Sequence, residues 1–158
     1  MLLIKKIYFT FNKDKLERAK MKLRKISINK VQFLIEKQCK NLNINYLILV
    51  KEKNNLVFKL KVKNKNIILK FHKDLAITLS DYNNFMTVFN KEDGYRGYYV
   101  TTGVFHHDIY SKNYLEIIRK KIDIIDGNKF LLNQKWFKSF NYNNFNYNDI
   151  SFNKYFKV

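Results

Sequence analysis

Three apolar runs, at 45–50, 56–62 and 67–71, are separated only by short breaks rich in asparagine and lysine, and this spacing constrains the fold more than any other feature. The breaks, containing Asn54-Asn55 and Asn64-Lys65-Asn66, are too short to hold a helix. They suit tight turns, because asparagine bonds its own backbone and tolerates left-handed conformation. The spacing predicts an antiparallel meander of three strands. Leu56-Val-Phe-Lys-Leu-Lys-Val62 ends in strict alternation, so one face of that strand is apolar and the other basic.

After the meander the period changes. Tyr82, Phe85, Met86 and Phe89 recur at helical spacing behind Thr78-Leu-Ser-Asp, which predicts a helix with an aromatic core stripe and Ser80 as its cap. Residues 98–102, set among Gly94, Gly97 and Gly103, predict a strand. A helix over 108–121 presents Tyr110, Tyr114, Ile117 and Ile118. A strand over 122–125, a turn at Asp126-Gly127-Asn128 and a closing helix over 129–137 follow. Two helices precede the meander. One covers 13–25 with Leu16, Ala19 and Leu23 on one stripe; the other covers 29–40 with Val31, Phe33, Leu34 and Cys39, capped by Ser27 or Asn29.

Strands first, then helix and strand in alternation, imply an α/β fold with a mixed central β-sheet flanked by helices rather than a bundle. A chain of 158 residues, 46% of them hydrophobic, holds one domain with a real core. It divides into a basic N-terminal extension (1–28), a sheet domain (29–138) and an asparagine- and aromatic-rich C-terminal extension (139–158) with no regular period. That extended tail cannot bury a core alone, so it is either disordered or laid against a partner through its aromatics.

Lysine and arginine number 31 against 13 acidic residues, and a domain carrying +18 repels itself unless a polyanion lies against it. Nucleic acid is the natural partner. The only arginines are Arg18, Arg24, Arg96 and Arg119, and lysine is a mobile point charge for phosphate rather than a bidentate reader of bases. Lys13, Lys15, Arg18, Lys20, Lys22, Arg24 and Lys25 crowd the first helix, whose basic surface is either a solvated face or a phosphate-binding one. Lys59, Lys61 and Lys63 extend the basic side of the meander, with Lys70 and Arg96 beyond it. Abundant lysine, asparagine, isoleucine, phenylalanine and tyrosine without any proline also point to an AT-rich genome.

Cys39 is the single cysteine, which excludes an internal disulfide and a cysteine-based zinc site, fits a reducing compartment and reads as core packing. Apolar runs such as Tyr46-Leu-Ile-Leu-Val50 fall far short of the roughly 18 residues of a membrane span. The basic N-terminal segment carries Asp14 and Glu17 and no small-residue cleavage site, so neither a signal nor a transit peptide is expected.

Gly94-Tyr-Arg-Gly-Tyr-Tyr-Val-Thr-Thr-Gly-Val-Phe105, with Ile122-Asp-Ile-Ile-Asp-Gly127 a helix length later, resembles the second half of an Mrr-type restriction endonuclease domain, a branch of the PD-(D/E)XK nucleases. The resemblance spans residues 30–135. It implies a restriction endonuclease-like sheet that holds Mg²⁺ through an aspartate on one strand and a glutamate or glutamine on the next, with a lysine two residues on to orient water. Laid on this chain, those positions are Asn55, Lys70 and His72, and all three depart from the family. Lys70 puts an ammonium where the divalent ion would sit, a repulsion of several kcal/mol even at an effective dielectric of ~20. The expectation is no catalytic residue, no metal and no cofactor.

Other candidates are weaker. Glu52 is followed by Lys53-Asn54 and Asp74 by Leu75-Ala76, so neither has the lysine two residues on. His106-His107, with Asp108 as the sole third ligand nearby, reads as a polar turn whose adjacent side chains diverge. Thr101 and Thr102 satisfy local backbone, and Asp123 and Asp126 are turn chemistry. There is no Walker loop, no GxGxxG and no Ser/His/Asp arrangement.

A scaffold that implies a polyanion, the loss of its metal ligands, the lysine excess and the terminal extensions together lead to one expectation. The chain is a non-catalytic nucleic-acid-binding structural protein, an rRNA-binding subunit of a mitochondrial ribosome, located in the matrix beside neighbouring proteins of that assembly. The alternatives are an active Mg²⁺-dependent nuclease of a mobile element or plasmid, and an accessory subunit of an organellar membrane complex.

Overall fold

The computed structural model describes residues 2–135, 137 and 146–158, with 2–12 described by backbone alone. In chain order the elements are α1 (Leu2–Lys25), α2 (Ile28–Asn41), β1 (Asn45–Lys51), β2 (Asn55–Val62), β3 (Lys65–His72), β4 (Ala76–Ile77), α3 (Leu79–Lys91), β5 (Arg96–Thr101), β6 (Val104–Phe105), α4 (His107–Arg119), β7 (Ile122–Ile125) and α5 (Gly127–Leu132). β1, β2 and β3 form the expected antiparallel meander. β5 and β7 then add in parallel, giving a five-stranded mixed sheet in the order β1-β2-β3-β5-β7. Parallel neighbours need a crossover, which α3 and α4 supply. Among the described residues, no helix is long and apolar enough to cross a membrane.

The two-residue period of the strands sorts the core into two halves. Leu56, Phe58 and Leu60 of β2, Ile67, Leu69 and Phe71 of β3, and Tyr98 and Val100 of β5 pack with α1, α2 and α5. The alternate residues Val57, Ile68 and Tyr99 pack with Tyr82, Phe85, Met86 and Phe89 of α3 and Ile109 of α4. Lys63 and Asn64, which turn β2 into β3, have φ of 49° and 62°, and the favoured two-residue hairpin turn requires positive φ at both centres.

Several expectations need correcting. The helix expected from residue 13 begins at Leu2, and its stripe of Leu16, Ala19 and Leu23 is buried in the same core as the meander. The described part of the C-terminal tail packs into the chain's own core. Residues 139–145 lie outside the described residues, but Ile150, Phe152, Tyr155 and Phe156 are core. The Phe152 ring sits 6.0 Å from Phe71 and 5.4 Å from Phe130. Two glutamines fix the tail's backbone: Gln134 accepts from the Ser151 amide at 2.8 Å and donates to its carbonyl, while Gln38 donates to the Ile150 carbonyl at 2.9 Å and accepts from the Phe152 amide. The tail has no regular period because it packs as single aromatics between short helical turns.

Thr78, not Ser80, caps α3: its extended backbone and Asp81 three residues on complete a capping box. Asp126 to Asn128 is not a separate turn. Asp126 caps α5 by accepting from the Lys129 amide, and the helix ends at Leu132. The stripe predicted on α4 is mostly outside, with Tyr110, Tyr114 and Ile118 exposed and Ile109 the buried residue. Phe33 of α2 is likewise exposed, its place inside taken by Ile35.

Candidate functional site

Asn55, Lys70 and His72 come together. Asn55 lies opposite His72 across the β2–β3 pair, Lys70 is the preceding residue of β3 on the same face, and Tyr99 of β5 lies beside Lys70. Lys70 and His72 are 7% and 4% exposed. The Lys70 ammonium stands 4.7 Å from the Tyr99 ring centroid, and His72 Nδ1 shares a 2.8 Å hydrogen bond with the Tyr99 hydroxyl. Among the described residues Lys70 has no hydrogen-bond acceptor and no ion pair; the ring face is its close contact, and Asp81 and Glu52 act on it from farther off.

Burial lowers the pKa of Lys70 against the opposing pull of Asp81 and Glu52. Burial, then the Lys70 charge, lowers that of His72, which is therefore a neutral imidazole at pH 7. Burial also pushes Tyr99 up, keeping it a phenol. Burial raises Asp81, but its bonds to Thr78, reinforced by His72 and Lys70, more than offset that, and its pKa ends below the ordinary value.

The neighbouring carboxylates serve local backbone and side chains. Glu52 accepts from Asn55 Nδ2 at 3.0 Å, Asp81 accepts from the Thr78 amide and hydroxyl, and Asp74 accepts from the Leu75 amide. Thr101 Oγ1 accepts from the Gly103 amide and Thr102 Oγ1 donates to the Asp74 carbonyl. A Cβ on Gly103 would collide with the Asp74 and Leu75 carbonyl oxygens, so glycine is required where the two chain segments cross.

Magnesium takes hard oxygen ligands in near-octahedral geometry. This site offers an amide, an amine and an imidazole, and the one buried oxygen without a donor is Asn55 Oδ1. A single amide oxygen beside a lysine does not fit the ion. At the start of α4, His106, His107 and Asp108 bring three possible ligand atoms within 4.8 Å of one another, and the two imidazoles lie 4.5 Å apart instead of diverging. His106 is occupied as the cap of α4, accepting from the Asp108 amide, and the positive end of the helix dipole opposes a cation there.

The expected phosphate contacts divide. Lys13, Lys15, Arg18, Lys22, Arg24 and Lys25 are exposed on α1, as are Lys61 and Lys63 on the meander. Lys20 pairs with Glu17 at 3.1 Å, Lys59 with Glu92 at 3.0 Å and Arg96 with Asp123 at 2.9 Å, while Lys70 is buried. A cluster that the sequence reading did not single out lies at the start of β5, where Lys65 and Lys121 converge on Tyr95. The only linear trace of it is the Arg119-Lys-Lys121 run, and nothing local ties that run to Lys65. Comparison of the chain with protein-family models, curated proteins and solved structures gives no match.

Proposed function

We propose that this chain is a non-catalytic RNA-binding protein built on a degenerate nuclease-like sheet. The observation that carries the reading is the buried Lys70, seated with Asn55 and His72 on one sheet face where the resemblance implies a magnesium site. The pairing of Asn55 with His72 supports the register on which that assignment rests, since metal ligands on adjacent strands must meet in the same way. The antiparallel meander followed by crossover helices supports it too. Loss of oxygen donors removes the chemistry, while a charge of +18 retains the attraction for a polyanion. A structural place on rRNA in an organellar ribosome is the assembly this composition serves.

The test pairs binding with cleavage, using the full chain and labelled single-stranded RNA. Affinity is expected to fall at least about tenfold between about 50 and 200 mM salt, because phosphate contacts release counterions. No cleavage is expected with Mg²⁺ or Mn²⁺. Chelator-sensitive cleavage, or binding indifferent to salt, overturns the reading. Sedimentation of the endogenous protein with ribosomal particles is the expected result for the ribosomal assignment, and free sedimentation removes it.

A further inference from the structure

We propose that the end of the sheet opposite Asn55, Lys70 and His72 is a phosphate-binding site, with Lys65 and Lys121 as paired cations held by Tyr95. This rests on the RNA-binding reading above and gives it a location: the ligand group is a backbone phosphate of a single strand.

Lys65 and Lys121 place their ammonium groups 3.9 and 4.3 Å from the centroid of the same ring, and Lys121 donates to the Tyr95 hydroxyl at 2.7 Å. Neither makes an ion pair among the described residues. Exposed lysines ordinarily swing apart, since convergence of like charges is unfavourable without an anion between them. Here one phenol gathers both, and the hydrogen bonds from Lys121 and Lys65 pull Tyr95 down to about 8. A groove beside the ring is lined by Asn90, Asp93, Arg119 and Lys120, so its cations exceed its one carboxylate.

All five non-glycine residues with left-handed φ among those described, Asn43, Lys63, Asn64, Asp93 and Lys121, lie at this end, which holds the β2–β3 turn and the connections from α2, α3 and α4 into their strands. Lys121, at φ 52° just beyond the cap of α4, occupies a position that favours glycine. The opposite end holds more carboxylates: Glu52, Asp74, Asp81, Asp108 and Asp126 lie there, against Glu92, Asp93 and Asp123 at this end, where Glu92 and Asp123 pair with Lys59 and Arg96.

The test compares two double variants of equal charge, K65Q/K121Q and K51Q/K53Q, by fluorescence anisotropy with a short single-stranded RNA. The first is expected to weaken binding at least about tenfold and to flatten the log–log salt slope by about 1.4, at roughly 0.7 per lost phosphate contact. The second is expected to shift affinity less than about threefold, as a general charge effect. A second readout follows the Tyr95 phenolate by ultraviolet absorbance, assigned with Tyr95→Phe. RNA that engages both lysines is expected to move its midpoint from about 8 toward the ordinary 10. If wild type fails to bind RNA, the RNA-binding reading itself falls. If wild type binds and the two double variants weaken it equally, with the Tyr95 midpoint unmoved, only this location falls. Inorganic pyrophosphate serves as a third arm: a midpoint that responds to it but not to RNA retains the phosphate site and overturns the strand as its source.

Discussion

The two ends of this sheet handle positive charge in opposite ways. Where β3 and β5 finish, Lys70 is withdrawn into the protein, rests on the Tyr99 ring and has carboxylates nearby that lie within caps and turns. Where β5 begins, Lys65 and Lys121 are exposed and gathered on Tyr95, with no ion pair to either among the described residues. Both ends use an aromatic ring to hold an ammonium, yet only the second leaves that charge available to a ligand. A buried cation pays desolvation and gives little outward field, whereas exposed cations in a cluster sum their fields toward solvent. Resemblance to an enzyme draws attention to the first end, and the distribution of charge favours the second.

The strongest way to break this contrast is through the tail, which helps build the basic end: the Tyr98 hydroxyl donates to the Lys157 carbonyl, and Tyr98 packs on Tyr155 at 5.4 Å. Phe152→Ala is expected to destabilise the fold by about 3–5 kcal/mol, because it empties a fully buried site against Phe71 and Phe130. An unchanged midpoint in chemical denaturation would return the tail to the status of an appendage.

A smaller effect sharpens the comparison at the buried end. Lys70→Met is expected to stabilise the protein by about 1–2 kcal/mol near neutral pH, since it replaces a desolvated ammonium by an apolar chain of similar length. The folded pKa of Lys70 lies below its ordinary 10.5, so between those values the unfolded chain holds more protons and stability rises with pH. His72 has the same sign: its stabilising neutral form is lost as pH falls through about 6.5 and below. Denaturation across pH 5 to 10 should show a steeper alkaline rise in wild type than in Lys70→Met, which keeps only the rise of the same sign contributed by the lowered Tyr95 phenol, and RNA affinity should be nearly equal in the two. A large loss of RNA binding in Lys70→Met would place the ligand at the wrong end for the contrast drawn here.

The smallest effect separates stability from binding at one residue. Lys121→Gly relieves a left-handed backbone and is expected to add about 1 kcal/mol of stability while weakening RNA binding. Gains in both, measured by thermal unfolding and anisotropy, would mean the strain at Lys121 serves nothing at this end.

Much of the architecture was legible because it rests on local rules. The meander followed from asparagine breaks between apolar runs, and the first four helices followed from an apolar period. The errors came where distant parts decide. Tyr110, Tyr114 and Ile118 share a helical stripe, but α4 is turned so that Ile109 faces the sheet and that stripe faces out. Asn55, Lys70 and His72 were singled out only through the resemblance, and the β2–β3 register is what brings them together. The Tyr95 cluster was not legible, because Lys65, Tyr95 and Lys121 belong to three separate segments.

By itself, then, the amino-acid order determined an α/β sheet, the alternation of its strands and the Ser27 cap of α2, all of which depend on neighbours within a few residues, together with the excess of lysine. Only the tertiary structure decided which lysines are buried, paired or gathered, and that an aperiodic tail completes the core. Burial and charge pairing are properties of distances in space, and those are set by how the sheet and helices close on one another.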